Sequence, residues 1–447
     1  MRVAVIGGGI SGLAAALRLR ERAPAETEII VYEQSGALGG KLRTGSVAGS
    51  AVEYGAEAFL VRDATGGESA AVALARRVGL AGDLVHPAVG RAGLALGGRL
   101  VPLPGGTLVG VPGDLDLVKT VAEPAADRDR DEGRPLLAAG EDVAVGALVR
   151  RRLGDQVVDR LVDPMLGGVY AGRADGLSLA ATMPGLAAAA TAEHTLTGAV
   201  RAALAAAPRP PGTPVFATVV GGVSRLVEAV ARASGAAVRL AAAVRVLEPA
   251  GRGWRLRVGD EWETADAVVL AVPARHAARL LGTSPVVDYA SVALVTLAIP
   301  DAALPDLSGF LVPAEEGTLT KAATFFTTKW AHLRRADGVA LVRASTGRYG
   351  EEQGLHRSDA SLVALVHAEL SALVGASLPA PIATHVQRWG GALPQYAPGH
   401  LERVAAARAA LPATLALAGA GYDGVGIPAC VRSGEAAADE VLKGLVL

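Results

Sequence analysis

Residues 3–33, VAVIGGGISGLAAALRLRERAPAETEIIVYE, decide the fold of this chain. The β-branched run at 3–6 predicts a buried parallel strand, a helix is expected from about Leu13 to Arg22, and 29–32 predicts a second strand. The turn after the first strand has the pattern G-x-G-x-x-G, formed by Gly7, Gly8, Gly9, Ile10, Ser11 and Gly12. Glu33 ends the second strand, 21 residues after Gly12. These parts in this order predict a dinucleotide-binding βαβ unit of an α/β fold.

Each part of this unit has a physical task in binding a dinucleotide. Gly7 permits the tight turn, Gly9 lets a pyrophosphate approach the backbone, and Gly12 lets the helix pack close to the sheet. The helix N-terminus then faces the phosphates, and Glu33 can accept hydrogen bonds from a ribose diol. Glu33 would repel a 2′-phosphate, which disfavours NADP. A signal peptide is the other interpretation of the apolar stretch after Met1, but the charged run at 18–22 and the lack of a clear cleavage site argue against it.

Composition limits the class of protein. With 447 residues, 51% of them hydrophobic and 19% charged, the chain can bury a large core and should form two or three domains. The net charge of −1 gives no electrostatic case for nucleic acid as a partner. One cysteine, Cys430, excludes an intrachain disulfide, and the eight histidines lack metal-ligand spacing, so we expect no metal site. No apolar run reaches about 18 residues, so we expect a cytoplasmic protein without a membrane-spanning helix, and a peripheral membrane contact stays open.

The pattern along the chain predicts a discontinuous cofactor domain. Strand patterns with glycine or proline turns return at 267–273 and 415–428, whereas 142–207 has helical periodicity and about 286–346 has alternating strands. We therefore expect an α/β fold with a Rossmann-like domain, a mixed-sheet substrate domain and a helical domain. The expected divisions are 1–90, 211–285 and 391–447 for the cofactor domain, 91–210 for a helical domain that faces the substrate or a membrane, and 286–390 for the sheet of the substrate domain. The pattern at about 91–104 separately predicts a hairpin.

The residues after Glu33 indicate which dinucleotide is bound. The stretch 34–44, QSGALGGKLRT, resembles the E-x(5)-G-G-(R/K) segment of glutathione-reductase-like flavoproteins, in the branch that holds amine oxidases, carotenoid desaturases and porphyrinogen oxidases. The resemblance implies that Gly40 passes close to the cofactor. It also implies that Lys41 faces the diphosphate, where much of the branch has Arg and so a bidentate fork. FAD is therefore the expected cofactor.

Longer blocks resemble one subfamily, the oxygen-dependent protoporphyrinogen and coproporphyrinogen III oxidases. They cover nearly the whole chain in the order in which that subfamily has them. The blocks are RRLGDQVVDRLVDPMLGGVYAG at 151–172, FATVVGG at 216–222, GFLVP at 309–313, RWGGALPQYAPGH at 388–400 and YDGVGIP at 422–428.

This resemblance implies a set of FAD contacts and an amine-oxidase-like architecture. Val244 would contribute its backbone groups only, and Gly426 would place backbone N–H groups at the pyrimidine edge of the flavin. Cys430 lies outside the pattern of covalent flavin attachment, so we expect noncovalent FAD and a packed thiol. The implied contacts are Gly7, Gly8, Gly9, Ile10, Ser11, Gly12, Glu33, Gln34, Gly40, Lys41, Gly55, Ala56, Glu57, Val244, Trp389, Val425, Gly426 and Ile427.

The resemblance also implies an activity, the oxidation of coproporphyrinogen III to coproporphyrin III with O2 as acceptor, in haem biosynthesis. The flavin carries this chemistry, so we assign no catalytic side chain. Four substrate carboxylates require cations, and we expect Arg62 to bind them, with Arg91 and Lys329 as the next candidates and Gly168 and Tyr170 lining the pocket. The alternatives are a protoporphyrinogen IX oxidase, an amine oxidase or carotenoid desaturase, and a noncatalytic flavin-binding module. Handover of the product to a downstream haem-pathway enzyme stays open.

Overall fold

The computed structural model of the chain describes residues 1–208 and 212–446. Its strands are β1 (Arg2–Ile6), β2 (Glu28–Tyr32), β3 (Thr44–Val47), β4 (Ser50–Glu53), β5 (Phe59–Leu60), β6 (Leu84–Val85), β7 (Gly93–Leu96), β8 (Arg99–Pro102), β9 (Thr107–Leu108), β10 (Val111–Pro112), β11 (Phe216–Val219), β12 (Ala237–Arg239), β13 (Val244–Ala250), β14 (Gly253–Val258), β15 (Glu261–Ala265), β16 (Ala267–Leu270), β17 (Asp288–Ile299), β18 (Gly309–Leu311), β19 (Thr320–Phe325), β20 (Ala340–Thr346), β21 (Ala383–Gln395) and β22 (Leu415–Leu417). Its α-helices are α1 (Ile10–Arg22), α2 (Ala70–Arg77), α3 (Val145–Leu153), α4 (Asp155–Val157), α5 (Asp163–Tyr170), α6 (Leu179–Thr182), α7 (Pro184–Ala190), α8 (Leu196–Ala206), α9 (Ser224–Ser234), α10 (Ala274–Leu281), α11 (Phe326–Lys329), α12 (Asp359–Val374), α13 (His400–Ala409) and α14 (Ile427–Val446).

A five-stranded parallel sheet forms the centre of the cofactor region, in the order β12-β2-β1-β16-β22. The side chains of β1 and β2 that follow the first residue of each strand are buried, as expected for a parallel sheet covered on both faces. Helix α1 packs against α9 and α14, and its alanine-rich middle (14–16) is fully buried. The sheet therefore draws strands from the start, middle and end of the chain, which confirms the expected discontinuous α/β fold.

A seven-stranded mixed sheet lies beside it in the order β21-β17-β20-β19-β18-β7-β8. Its neighbours are antiparallel except for the pair β18 and β7. The hairpin β7–β8 therefore belongs to this sheet, although the expected division at 91 placed it with the helices. Leu94 and Ala95 are buried there, which explains why the hairpin joins a sheet.

Two further expected domain boundaries lie at 390 and between 210 and 211. Strand β21 runs without interruption through the expected division at 390, because its pairing with β17 continues to Gln395 opposite Asp288. The expected division between 210 and 211 lies outside the described residues. The domain limits as a whole stay a prediction.

Short helices fill the segment 145–206 and bury an apolar core that is continuous with one face of the parallel sheet. Between α4 and α5 the chain makes one π-helical turn at 158–162. Leu148, Leu161 and Leu166 are almost fully buried in one cluster that also contains Tyr170 and Tyr396. This core therefore connects the helical segment to β21 and to the loop that follows it.

Candidate active site

Two glycines of the first turn, Gly7 and Gly12, are required by the protein's own packing. The third, Gly9, borders open space. Gly7 has φ +112°, and its N–H donates to the Tyr32 carbonyl at 2.8 Å. A Cβ on Gly12 would overlap the carbonyl oxygen of Gly7, so only glycine allows α1 to start this close to β1. A Cβ on Gly9 would meet no atom within 4 Å, although Gly9 is the residue before α1. The space in front of the α1 N-terminus thus fits an anionic group, as the expected pyrophosphate requires.

Glu33 is buried and organises this turn. One carboxylate oxygen accepts the Gly8 N–H at 2.8 Å, and the other accepts the Ser35 N–H at 2.8 Å. The Glu33 carbonyl accepts the Ala242 N–H at 2.9 Å, which places the start of β13, and so Val244, close to the end of β2. Gln34 is exposed beside it. Each carboxylate oxygen keeps a further lone pair, so contact with a ribose stays a prediction.

The second glycine pair lies directly against the first turn. The Gly39 N–H donates to the Gly8 carbonyl at 2.8 Å, and Gly40, with φ +58°, faces Gly9. The structure therefore joins two motifs that are separated in sequence by about 30 residues, as the resemblance implies.

Lys41 follows this pair directly in the chain. Burial is the main cause that lowers the pKa of the Lys41 ammonium, and the positive charge of Arg275 adds to it. Within residues 1–208 and 212–446 no carboxylate lies within 4 Å of Lys41. A buried cation without an acidic partner is costly, and an anionic ligand would relieve that cost.

The turn 55–57 is held from two sides. A Cβ on Gly55 would overlap the Lys41 carbonyl oxygen, and that oxygen accepts the Ala56 N–H at 3.1 Å. Trp389 packs over Gly55, and its indole N–H donates to the Tyr54 carbonyl at 2.6 Å. This brings the expected residues Gly55, Ala56 and Trp389 to the same place as Lys41.

Glu57 forms ion pairs with Lys329 and Arg343, and all three side chains are largely buried. Burial alone would raise the pKa of the Glu57 carboxyl, but the two cations hold it below its ordinary value. Arg343 also donates to the Gly55 carbonyl at 2.8 Å and to the Glu53 carbonyl at 3.0 Å. The Glu57 side chain therefore fixes the turn, and Lys329 has its own acidic partner.

The C-terminal segment reaches the same site through α14. Gly424 has φ +128°, and the segment Val425, Gly426 and Ile427 leads into the helix. A Cβ on Gly434 would overlap the Ser11 carbonyl oxygen, so α14 and α1 are in close contact. The Cys430 sulfur lies 3.7 Å from the Gly424 carbonyl oxygen, and burial raises the pKa of its thiol.

The expected substrate residues occupy different surroundings. Arg62 is exposed and donates to the Gly66 carbonyl within its own loop, while Arg91 forms an exposed ion pair with Asp306. Gly168 is exposed on α5, whereas the Tyr170 ring is buried edge-on against Tyr396, with centroids 5.5 Å apart. Burial raises the pKa of Tyr170 to about 12. Contact of these residues with a substrate stays a prediction.

Sequence reasoning missed several residues around the site. Arg343 reaches it from β20, and Arg275 and Tyr289 reach it from the start of α10 and from β17. The one available signal was position, because Arg275 follows the carboxyl end of a buried parallel strand, where ligands of such sheets bind.

The chain is similar to known proteins over nearly its whole length. The family model of flavin containing amine oxidoreductases matches residues 10–442. A coproporphyrinogen III oxidase from Mycobacterium bovis is 40% identical over 458 residues, which cover 99% of this chain and 97% of that protein. A coproporphyrinogen III oxidase from Bacillus subtilis is 30% identical, with 98% and 97% covered. A crystal structure from Exiguobacterium sp. 255-15, provisionally assigned as a protoporphyrinogen oxidase, has a TM-score of 0.85 at 28% identity and 98% coverage of both chains.

The chain belongs to the flavin containing amine oxidoreductase family, and its cofactor is a flavin. The relatives from Mycobacterium bovis and Bacillus subtilis are coproporphyrinogen III oxidases, which confirms the resemblance drawn from the sequence blocks. Among the described residues, no helix is both long and apolar enough to cross a membrane.

Proposed function

We propose that this chain is a coproporphyrinogen III oxidase that uses noncovalent FAD and O2 and forms coproporphyrin III and hydrogen peroxide. The observation that carries the proposal is the 40% identity with relatives of that name over 99% of the chain. The site supports it, because five separate segments meet around the α1 N-terminus. FAD, when bound, supplies a ring that accepts a hydride from the substrate and passes the electrons to O2, in three two-electron steps per macrocycle.

The residues of the chain bind and orient this cofactor. In this proposal the α1 N-terminus and Lys41 neutralise the diphosphate, and Glu33 accepts hydrogen bonds from the ribose. The clamp of Lys329 and Arg343 on Glu57 fixes the 55–57 turn, so the flavin would rest against a rigid backbone. Noncovalent binding is supported by Cys430, whose sulfur is buried against backbone carbonyls.

Substrate choice is the finer part of the proposal. Coproporphyrinogen III carries four carboxylates and protoporphyrinogen IX carries two, so cations at the pocket should favour the first. Arg62 is the cation that we propose for this contact, since Lys329 pairs with Glu57 and Arg91 pairs with Asp306. We further propose a cytoplasmic location, a peripheral membrane contact and release of the product to a downstream haem-pathway enzyme.

An aerobic assay with both porphyrinogens tests the proposal. We expect porphyrin fluorescence and hydrogen peroxide to appear faster with coproporphyrinogen III at equal concentration. Faster turnover of protoporphyrinogen IX would make that the substrate. Turnover of amines or carotenoid precursors, but of neither porphyrinogen, would instead support an amine oxidase or a carotenoid desaturase. A bound flavin that none of these substrates reduces would support a noncatalytic flavin-binding module.

A further inference from the structure

We propose that the Arg275 guanidinium is a second cation of the cofactor site, which pairs beside Lys41 with the diphosphate of the bound dinucleotide. This inference rests on the proposed use of FAD and names a residue to which no motif points.

Arg275 lies four residues after Ala271, which contacts the glycine turn at 7–12 where the diphosphate is expected to bind. Strand β16 pairs with β1 in the parallel sheet, and the chain then passes through Ala271 into α10. A Cβ on Gly7 would overlap the Ala271 carbonyl oxygen, and a Cβ on Gly12 would lie 3.2 Å from the Ala271 Cβ. The first turn of α10 is therefore anchored to the site where the dinucleotide is expected.

Two other parts of the cofactor site meet at the Arg275 side chain. Its guanidinium donates to the Gly390 carbonyl at 3.3 Å and lies against Gly391, the residues that follow Trp389. It also lies 5.8 Å from the centre of the Tyr289 ring. The Tyr289 hydroxyl accepts the Ala274 N–H at 2.8 Å and closely approaches Gly421, in the loop that precedes Gly426.

The charges at this point are not balanced by the protein. Gly55 contacts both the Lys41 carbonyl and Trp389, and Arg275 lies against Gly391, two residues after Trp389. Over the described ranges neither cation has a carboxylate within 4 Å. Two cations at one site without an acidic partner repel each other, and a diphosphate, with about two negative charges, would neutralise both.

Arg279 provides a matched control, because it lies one turn further along α10 and is also exposed. It does not contribute to the pKa shift of Lys41. Replacement of either arginine removes one positive charge from the same helix, so a general charge effect would be equal in both variants.

Titration of the flavin-free full-length chain with FAD, followed by flavin fluorescence, tests the assignment. We expect the Kd of FAD to rise about tenfold in Arg275→Gln, which is about 1.4 kcal/mol. Arg275→Lys should recover part of the loss, since it keeps the charge and loses the fork. Arg279→Gln should bind FAD like the wild type, and the thermal midpoint of the flavin-free Arg275→Gln chain should be unchanged.

Several results would overturn the assignment. Wild-type Kd together with a wild-type flavin reduction potential in Arg275→Gln would remove Arg275 from the site, and equal weakening in both glutamine variants would reduce its role to net charge. A changed flavin reduction potential at unchanged Kd would place the guanidinium at the ring instead of the diphosphate. Failure of the wild type to bind FAD would refute the proposed cofactor together with this inference, and so is distinguished from a failure of Arg275 alone.

Discussion

At the scale of single residues, two glycines of one turn should respond to alanine in opposite ways. Gly9→Ala adds a methyl group where the protein has no atom within 4 Å, so the flavin-free chain should keep its stability while FAD binding weakens. Gly12→Ala adds a methyl group that overlaps the Gly7 carbonyl oxygen, so it should destabilise the fold by about 1–3 kcal/mol. Thermal unfolding without flavin and FAD titration separate the two effects.

Gly36→Ala is the control for this pair, because a Cβ there also meets no atom within 4 Å and the residue lies outside the turn. It should leave both stability and FAD binding unchanged. Equal FAD affinity in Gly9→Ala and Gly36→Ala would contradict the expected approach of the diphosphate to Gly9.

A separate prediction concerns the proposed contact between Arg62 and the substrate carboxylates. Its guanidinium donates only to a carbonyl of its own loop among the described residues, so Arg62→Ala should leave the fold and the flavin spectrum unchanged. The KM for coproporphyrinogen III should rise about tenfold, on the order of 1.4 kcal/mol, because one charge-assisted contact is lost. Steady-state kinetics with both porphyrinogens measure this, and unchanged KM values would assign the carboxylates to another residue.

At the scale of elements, the Glu57 cluster couples α11, β20 and the loop after β4 in one electrostatic unit. Arg343→Met leaves Glu57 with Lys329 alone, and Glu57→Gln leaves two cations facing each other. Each change should destabilise the chain by about 3 kcal/mol. The double variant should cost less than the sum, with a coupling energy of about 1–3 kcal/mol in urea unfolding. Additive costs would show that the ion pair contributes nothing to holding the turn.

Lys321 on β19 makes stability depend on pH. Its side chain is 5% exposed and donates to the Gly167 carbonyl within α5 at 3.1 Å. Burial, aided by the charges of Arg348 and Arg343, lowers the pKa of Lys321 from 10.5 to about 7. Between these values the unfolded chain holds a proton that the folded chain has released, so this group destabilises the fold increasingly as the pH falls from 10.5 to 7, and fully below 7.

Lys321→Met removes this titration. The stability of the wild type relative to Lys321→Met should therefore fall by about 2 kcal/mol between pH 9 and pH 7. Lys443→Met, at an exposed position of α14, is the control and should show no such trend. A difference that does not change with pH would mean that Lys321 stays charged in the folded chain.

At the scale of the whole molecule, the cofactor site joins segments that lie hundreds of residues apart, so FAD should stabilise the chain as one unit. At a free FAD concentration of 100 times Kd, the free energy of unfolding should rise by about 2.7 kcal/mol. A calorimetric scan should show the flavin-dependent shift in the transition that contains the parallel sheet. A shift absent from every transition would contradict a site shared by these segments.

The distance along the chain between interacting segments also explains which features could be predicted from the sequence. The spacing of Gly7, Gly12 and Glu33 lies within one βαβ unit, whose covalent geometry alone brings them together, and the structure places them as expected. The hairpin β7–β8 was expected as a hairpin, but its sheet could not be inferred, because its partner β18 lies more than 200 residues away. Arg275 and Arg343 were missed for the same reason, since each acts on backbone from another part of the chain and neither is part of a local motif.

The late position of β22 and α14 has a consequence for biosynthesis. The ribosome makes β1, α1 and β2 first, but β16, the other neighbour of β1, follows only after about 230 further residues, and β22, which pairs with β16, and the helix that packs on Ser11 only after about 380. At about 5–20 residues per second, the nascent phosphate turn waits for tens of seconds with an unpaired strand edge. We therefore expect flavin capture to be a late event on this chain, which leaves that edge without protection from the cofactor during synthesis.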